Sequence, residues 1–172
     1  LLAGTYAISQ FAVAPLIGAL SDRFGRKPII IICVAGSVIG LLLFAITVSI
    51  DWTKLLPVSA SSLPLLVLFL ARVIDGLSGG TAATATAVLA DISTPENRAK
   101  SFGLIGVAFG LGFLLGPGLG TTLAKFSITL PVWGATIFAI GNLVLVIWIL
   151  PETHPLEKRR RLPKKRALNP LT

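Results

Sequence analysis

Apolar residues occupy long stretches of this chain, and short polar segments separate them. Five stretches stand out, at about positions 1–20, 29–50, 63–90, 101–123 and 131–150. An α-helix needs ~20 residues to cross the ~30 Å hydrocarbon layer of a bilayer, and each stretch is too long for a buried strand. The pattern predicts an all-α membrane protein whose five transmembrane helices form one bundle over residues 1–150.

Basic residues are distributed unevenly between these helices. Short connections make neighbouring helices antiparallel, so alternate loops lie on the same side of the membrane. One side holds three Lys or Arg residues at 21–28, two at 91–100 and seven in the tail 151–172, whereas the other holds only Lys54 and Lys125. Loops rich in Lys and Arg stay in the cytoplasm. We therefore expect loops 21–28 and 91–100 and the tail to be cytoplasmic. We expect the protein itself to lie in the plasma (inner) membrane.

The composition fits a bilayer better than a nucleic-acid partner. The chain is 54% hydrophobic and only 13% charged, whereas a soluble domain is about a quarter charged. The net charge of +8 comes largely from the basic run at 158–166. After a membrane span, such a run orients the protein and contacts anionic lipid headgroups, and a soluble partner is the alternative. We predict a basic cytoplasmic linker at 151–172, the bilayer as partner and no nucleic acid.

The beginning of the chain has no feature of a natural start. Leu1 already lies in an apolar stretch, and the sequence contains no methionine. No basic region precedes the first apolar stretch and no small-residue cleavage site follows it, so it does not read as a signal peptide. We expect that an amino-terminal segment precedes residue 1.

The first polar loop combines turn-forming residues with both signs of charge. Its aspartate, Asp22, stands at the carboxyl end of a helix, where the macrodipole disfavours an anion. We therefore expect Asp22 to have a compensating partner. Gly18 permits close helix approach, and Gly25 permits a tight reversal. The segment reads GALSDRFGRKP, with Gly18, Asp22, Arg23, Gly25, Arg26 and Lys27.

This loop resembles, essentially residue for residue, the signature between the second and third helices of major facilitator superfamily transporters. The exit of the third span, with Asp91, Arg98 and Gly103, and the Leu150–Thr153 segment also resemble that family. The resemblance implies helices two to six of a twelve-helix protein, without the first helix and the carboxy-terminal half. It further implies that Asp22, Arg26 and Arg98 gate the cytoplasmic side. The alternative is that the basic residues only set topology.

Two charged residues stand inside the third apolar stretch. A charge near the bilayer centre costs ~2.5 to 3.5 kcal/mol on insertion scales. Arg72 and Asp75 are three positions apart, so they share a helix face and can neutralise each other. With Gly76, they resemble the family's fourth-helix signature, whose arginine is implicated in proton coupling. Asp75 stands where many members have a neutral residue, so it is either a structural ion partner or a titrating carboxylate.

The fourth stretch is rich in glycine, and many of these glycines recur at spacings of four. Such spacing lets another helix seat closely, and Pro117 removes a backbone hydrogen bond and bends the helix. The pattern resembles the fifth-helix signature associated with antiporters. The alternative is a bent interface helix with no bearing on transport direction. The residues that carry the resemblance are Gly103, Gly112, Gly116, Pro117 and Gly120.

No set of residues indicates an enzyme. No nucleophile, base and acid combination and no phosphate-binding loop is recognisable, so we expect no catalysis and no cofactor. Cys33 and His154 are the only residues of their kinds, which argues against a metal site. We interpret Cys33 as a small packed or lipid-facing residue and His154 as a solvated residue at the membrane boundary.

The motifs together resemble proton-driven drug exporters of the tetracycline-resistance type. The resemblance implies efflux of small, lipophilic compounds in exchange for protons by alternating access. One alternative is a symporter or facilitator for sugars or metabolites. The other is a receptor or scaffold that keeps the fold without transport. The expected partners are a small-molecule substrate, protons and the missing carboxy-terminal half.

Overall fold

The computed structural model describes residues 1–55 and 62–154, and this part of the chain is helical, with no β-strand. The predicted basic linker therefore lies outside the described residues from position 155 onward. The helices are α1 (Leu2–Phe24), α2 (Arg26–Ser49), the short α3 (Trp52–Leu55), α4 (Leu63–Leu77), α5 (Thr81–Ile92), α6 (Arg98–Ala124) and α7 (Leu130–Ile149).

Five helical segments are long and apolar enough to cross a membrane, as the sequence predicts. They are α1, α2, the combined segment Leu63–Ile92, α6 and α7. The predicted all-α membrane fold is therefore confirmed. The helices at the predicted cytoplasmic end extend beyond the apolar stretches, because a polar side chain there does not prevent the backbone from continuing its hydrogen bonds.

The loop between α1 and α2 consists of one residue. α1 ends at Phe24 and α2 begins at Arg26, so most of the loop expected at 21–28 is helical. Gly25 has a φ of 105° and a ψ of 158°, a conformation open essentially only to glycine. Pro28 lies in the first turn of α2, where its missing N–H would have no intrahelical partner. The reversal is therefore tighter than predicted.

The third span is not one uninterrupted helix. The chain leaves the regular helix at 78–80 between α4 and α5, whereas the apolar pattern predicted a single helix over 63–90. Two consecutive glycines favour this interruption because they weaken a helix. The side-chain amide of Gln10 on α1 donates a hydrogen bond of 2.9 Å to the carbonyl of Gly79. This contact satisfies one of the backbone groups that the interruption leaves available.

α2 occupies the centre of the bundle and packs against α1, α4, α5 and α7, whereas the main described contacts of α6 are with α5 and α7. Two small clusters form the buried core. One joins Ile17 of α1 with Ile29 and Cys33 of α2. The other joins Ile30 and Val34 of α2 with Val88 of α5, and partly buried residues of α7 cover it.

The outer surface is strongly apolar. Phe113 on α6, Phe138 on α7 and Trp148 on α7 are 80%, 76% and 83% exposed, and no residue of α6 is buried. Large apolar side chains exposed over whole helices are tolerated in lipid or against further helices, not in water. The surface therefore supports the membrane assignment independently of helix length.

Two tryptophans mark the end of the bundle opposite the α1–α2 loop. The Trp52 indole N–H donates to the carbonyl of Thr47 at 2.7 Å. The Trp133 indole N–H donates to the Ser49 hydroxyl at 2.9 Å. Tryptophan is enriched at membrane interfaces because its ring is apolar and its N–H needs a polar partner. These residues place the second membrane boundary near the end of α2 and the start of α7.

Candidate functional site

Arg26 is the centre of a charged cluster at the predicted cytoplasmic end. It opens α2 and is only 8% exposed. Its Nη1 lies 2.5 Å from Asp22 Oδ1 and 2.7 Å from the Ser21 hydroxyl, both on α1. Its Nε lies 3.0 Å from Asp91 Oδ2 at the end of α5. One guanidinium thus joins three helices, and Asp22 has the basic partner that its position requires.

A fourth element reaches the same cluster. Glu152 follows α7, and its Oε1 accepts hydrogen bonds of 2.9 Å from the backbone N–H groups of Arg26 and His154. A carboxylate at a helix amino terminus is favoured by the helix dipole and satisfies a free backbone donor. Sequence reasoning did not include Glu152 among the site residues. Its position in the Leu150–Thr153 segment was the available signal.

His154 lies in this cluster rather than in solvent. Its side chain is 13% exposed, and its Nδ1 is 3.7 Å from Asp91 Oδ2. The expectation of a solvated boundary residue is wrong. The cause is the path of the chain after α7, which returns to the start of α2 and the end of α5.

The other predicted gating residues lie outside this cluster. Arg23 is exposed and stacks over the neighbouring Phe24 ring at 5.1 Å. Lys27 is half-buried, and Arg98 is exposed at the start of α6, with no ion pair to the residues described here. A Cβ added to Gly18 meets no atom within 4 Å. The expected close helix approach at Gly18 is therefore absent from the described structure.

The loop between α5 and α6 carries a further carboxylate. Hydrogen bonds from its own backbone N–H and from the Thr94 hydroxyl hold the pKa of Glu96 below its usual value. Glu96 is fully exposed in this loop. It therefore adds a surface charge at this end of the bundle and takes no part in the buried cluster.

Inside the membrane, Arg72 and Asp75 form the ion pair that their spacing predicts. Arg72 Nη1 lies 3.2 Å from Asp75 Oδ2, and the two side chains are 18% and 11% exposed. The guanidinium also lies over the Phe44 ring of α2, 4.5 Å from its centre. Arg72 Nε is buried without a hydrogen-bond partner in residues 1–55 and 62–154. The guanidinium therefore retains a donor that the described protein does not use.

Glycines allow neighbouring helices to approach this ion pair closely. A Cβ on Gly40 of α2 would lie 2.8 Å from the Asp75 Cβ. A Cβ on Gly76 would lie 2.6 Å from the Tyr6 carbonyl oxygen and 2.7 Å from the Ser9 Cβ of α1. Gly76, which belongs with Arg72 and Asp75 to the fourth-helix resemblance, thus lies at a tight contact between α1 and α4.

The glycines of α6 face open space in the described structure. Added Cβ atoms meet nothing within 4 Å at Gly103, Gly106, Gly110, Gly112, Gly116, Gly118 and Gly120. α6 remains helical through Pro117. The Thr121 hydroxyl donates to the Pro117 carbonyl at 2.9 Å. The face that the spacing predicts for helix packing exists, but the residues described here do not fill it.

Metal-binding groups are not found in the described ranges: no three His, Cys, Asp or Glu residues lie together in a way that could hold an ion. Cys33 is a buried free thiol in the first core cluster. It therefore serves packing, one of the two roles expected for it.

Comparison with known proteins supplies the context for both charged groups. The sequence profile described as Major Facilitator Superfamily matches residues 1–171. The tetracycline resistance protein, class C, of Escherichia coli is 37% identical over 171 residues, which are 99% of this chain and 39% of that protein. Major facilitator superfamily domain-containing protein 10 of Homo sapiens is 37% identical over 159 residues, or 92% of this chain and 31% of that protein.

A solved structure agrees with these matches. The crystal structure of the human organic anion transporter MFSD10 (TETRAN) superposes with a TM-score of 0.75 at 36% identity, over 92% of this chain and 33% of that one. The chain therefore spans between 31% and 39% of the length of these relatives.

Proposed function

The chain belongs to the major facilitator superfamily, and from that premise we propose that it forms helices two to six of a transporter that exports small, lipophilic compounds in exchange for protons. It is an integral, multi-pass membrane protein. We also propose that it lies in the plasma (inner) membrane, with its basic loops in the cytoplasm.

The buried pair of Arg72 and Asp75 is the observation that carries the proposal. Two charges in an apolar span are costly, and such residues usually line a cavity or a proton path. When Asp75 takes up a proton, its attraction to Arg72 is lost and the guanidinium becomes available to another partner. Proton binding thus changes which groups interact inside the membrane. A transporter needs such a change to couple proton entry to substrate exit.

The cluster around Arg26 supplies the second requirement, a gate. Alternating access needs contacts that hold one side of the transporter closed and then break. Arg26 joins α1, α2, α5 and the segment after α7 through polar contacts of 3.0 Å or less. Because these contacts are polar, water can replace them when the cytoplasmic side opens. We propose Asp22, Arg26 and Asp91 as the gating residues. We also propose that Arg98 joins them in another conformation of the transporter.

The substrate class is inferred from the relatives. Several tetracycline resistance proteins are 32–37% identical to this chain, which favours a drug as the substrate. The organic anion transporter MFSD10 supports a second candidate class, organic anions. The unused Nε donor of Arg72 favours this second class, since a guanidinium binds carboxylates and related anions well.

The test measures transport by the full-length protein that carries this chain, reconstituted in liposomes with an imposed pH gradient. Asp75→Asn should reduce proton-driven export at least about tenfold, because the amide cannot take up a proton. Asp51→Asn is the matched control. Asp51 also pairs with a basic residue three positions away at 3.2 Å, but that pair is exposed.

Each result has a definite meaning. Export of tetracycline supports the first substrate class, and export of a fluorescent organic anion supports the second. Unchanged, proton-dependent export by the Asp75→Asn variant would remove Asp75 from the coupling role. Substrate movement in the same direction as protons would identify a symporter instead. No transport of any compound by the wild-type protein would favour a receptor or scaffold.

A further inference from the structure

The segment Pro151–His154 carries two residues, Glu152 and His154, that are not among the proposed gating residues. Glu152 accepts a hydrogen bond from the first residue of α2, which lies 126 positions earlier in the chain. His154 lies beside Asp91 at the end of α5. This segment, here called the strap, therefore connects the end of α7 to α2 and α5, two of the three helices that Arg26 joins.

The contacts of the strap form a closed ring. The Arg26 side chain binds Asp91 at 3.0 Å, and the same Asp91 oxygen lies 3.7 Å from His154 Nδ1. His154 donates its backbone N–H to Glu152 Oε1, which also accepts the backbone N–H of Arg26. Each member of the ring is thus held from two directions. Removing one member loosens the others.

Among the described residues, the cluster contains more negative than positive charge. Asp22, Asp91 and Glu152 contribute three carboxylates, and Arg26 contributes one guanidinium. These four groups, from α1, α5, the strap and α2, are charged groups of the described residues that face His154 directly or through Arg26. A proton on the imidazole adds a second cation and is attracted to Asp91. His154 is the chain's one histidine, and histidine ordinarily titrates between about pH 5 and 8.

We propose that the strap locks the gate and that His154 makes this lock sensitive to cytoplasmic pH. Glu152 and His154 are positioning residues: they hold Arg26 and Asp91 and do not touch the substrate. At low cytoplasmic pH the imidazolium binds Asp91, and the ring is tightly held. At high pH the neutral imidazole loses this attraction, and the ring opens more often. The inference rests on the proposed gating function of Arg26.

The test uses hydrogen exchange of the purified full-length protein, followed by mass spectrometry of the peptide that covers residues 21–30. Exchange in this peptide should be about two- to fivefold slower at pH 5.5 than at pH 8, after correction for the intrinsic rate, as expected for one partly exposed ion pair. His154→Gln should remove the difference. His154→Lys, which keeps a cation, should give slow exchange at both pH values.

Glu152 is tested by a conservative pair of variants. Glu152→Ala removes the acceptor and should speed exchange in the same peptide, whereas Glu152→Gln keeps an acceptor oxygen and should restore most of the protection. Equal exchange in the wild-type, Glu152→Ala and His154→Gln proteins would overturn the proposal. Because hydrogen exchange needs no substrate, this result is separate from a failure of the transport assay. The pH dependence of transport in the His154→Gln variant then shows whether the lock acts on gating.

Discussion

At the scale of residues, the contacts of Arg26 explain why arginine rather than lysine stands at the start of α2. Its Nη1 pairs with the Asp22 carboxylate and donates a hydrogen bond to the Ser21 hydroxyl, while its Nε donates a hydrogen bond to the Asp91 carboxylate. The planar guanidinium presents these donors in different directions, whereas a lysine ammonium is a single compact group. The requirement for positive charge in a cytoplasmic loop does not explain this geometry. Three partners on two other helices do.

We expect Arg26→Lys to reduce transport by the full-length protein at least about tenfold. A hydrogen bond to a charged group contributes about 1.5 to 3 kcal/mol, and the substitution removes at least one of them from a buried site. Arg23→Lys is the control, because Arg23 lies three residues earlier, in the last turn of α1, and is exposed. Initial rates of export in liposomes provide the measurement. Similar rates for the two variants would contradict the gating role.

At the scale of elements, the interruption at 78–80 and the contact of α4 with α1 belong together. Gln10 binds the Gly79 carbonyl, and Ile17 packs against Gly80. Gly76 brings the α4 backbone against Tyr6 and Ser9. Close approach of helix backbones provides much of the packing energy in a membrane, where apolar side chains gain nothing over lipid. Gly76, Gly79 and Gly80 are therefore explained by one tight interface with α1.

Gly76→Ala should destabilise the protein. The new methyl group would lie 2.6 Å from a backbone oxygen of α1, so a helix must move, at a cost of about 1 to 3 kcal/mol. Gly141→Ala on α7 is the control, because its added Cβ meets no atom within 4 Å. Thermal unfolding in detergent should give a lower midpoint for Gly76→Ala alone. A midpoint equal to that of the control would show that the interface is looser than described.

At the scale of the whole molecule, the distribution of polar groups supports one orientation. The Arg26 cluster and the exposed loop between α5 and α6 lie at one end of the bundle, and Trp52, Trp133 and the Asp51–Lys54 pair lie at the other. The basic residues concentrate at the first end, which the positive-inside rule assigns to the cytoplasm.

Labelling of single cysteines in intact cells tests this orientation. Ser62→Cys and Phe126→Cys should react with a membrane-impermeant thiol reagent, because both positions are exposed at the predicted outer end. Glu96→Cys should react only after the membrane is permeabilised. None of these substitutions changes a Lys or Arg residue, and the native Cys33 is 3% exposed. Labelling of Glu96→Cys in intact cells would reverse the assignment.

The sequence by itself determined the parts of this protein that depend on neighbouring residues. The five spans follow from the length of each apolar stretch. The pair Arg72–Asp75 follows from a spacing of three along a helix. In both cases the cause is local, because a helix sets which nearby residues share a face.

The tertiary structure decided what depends on distant residues. Asp91 and Glu152 reach Arg26 from 65 and 126 positions away, and no periodicity relates them. The interruption at 78–80 and the place of His154 depend in the same way on packing against α1 and on the turn after α7. Hydrophobic patterns specify which segments enter the bilayer, but the contacts between helices depend on how their surfaces fit.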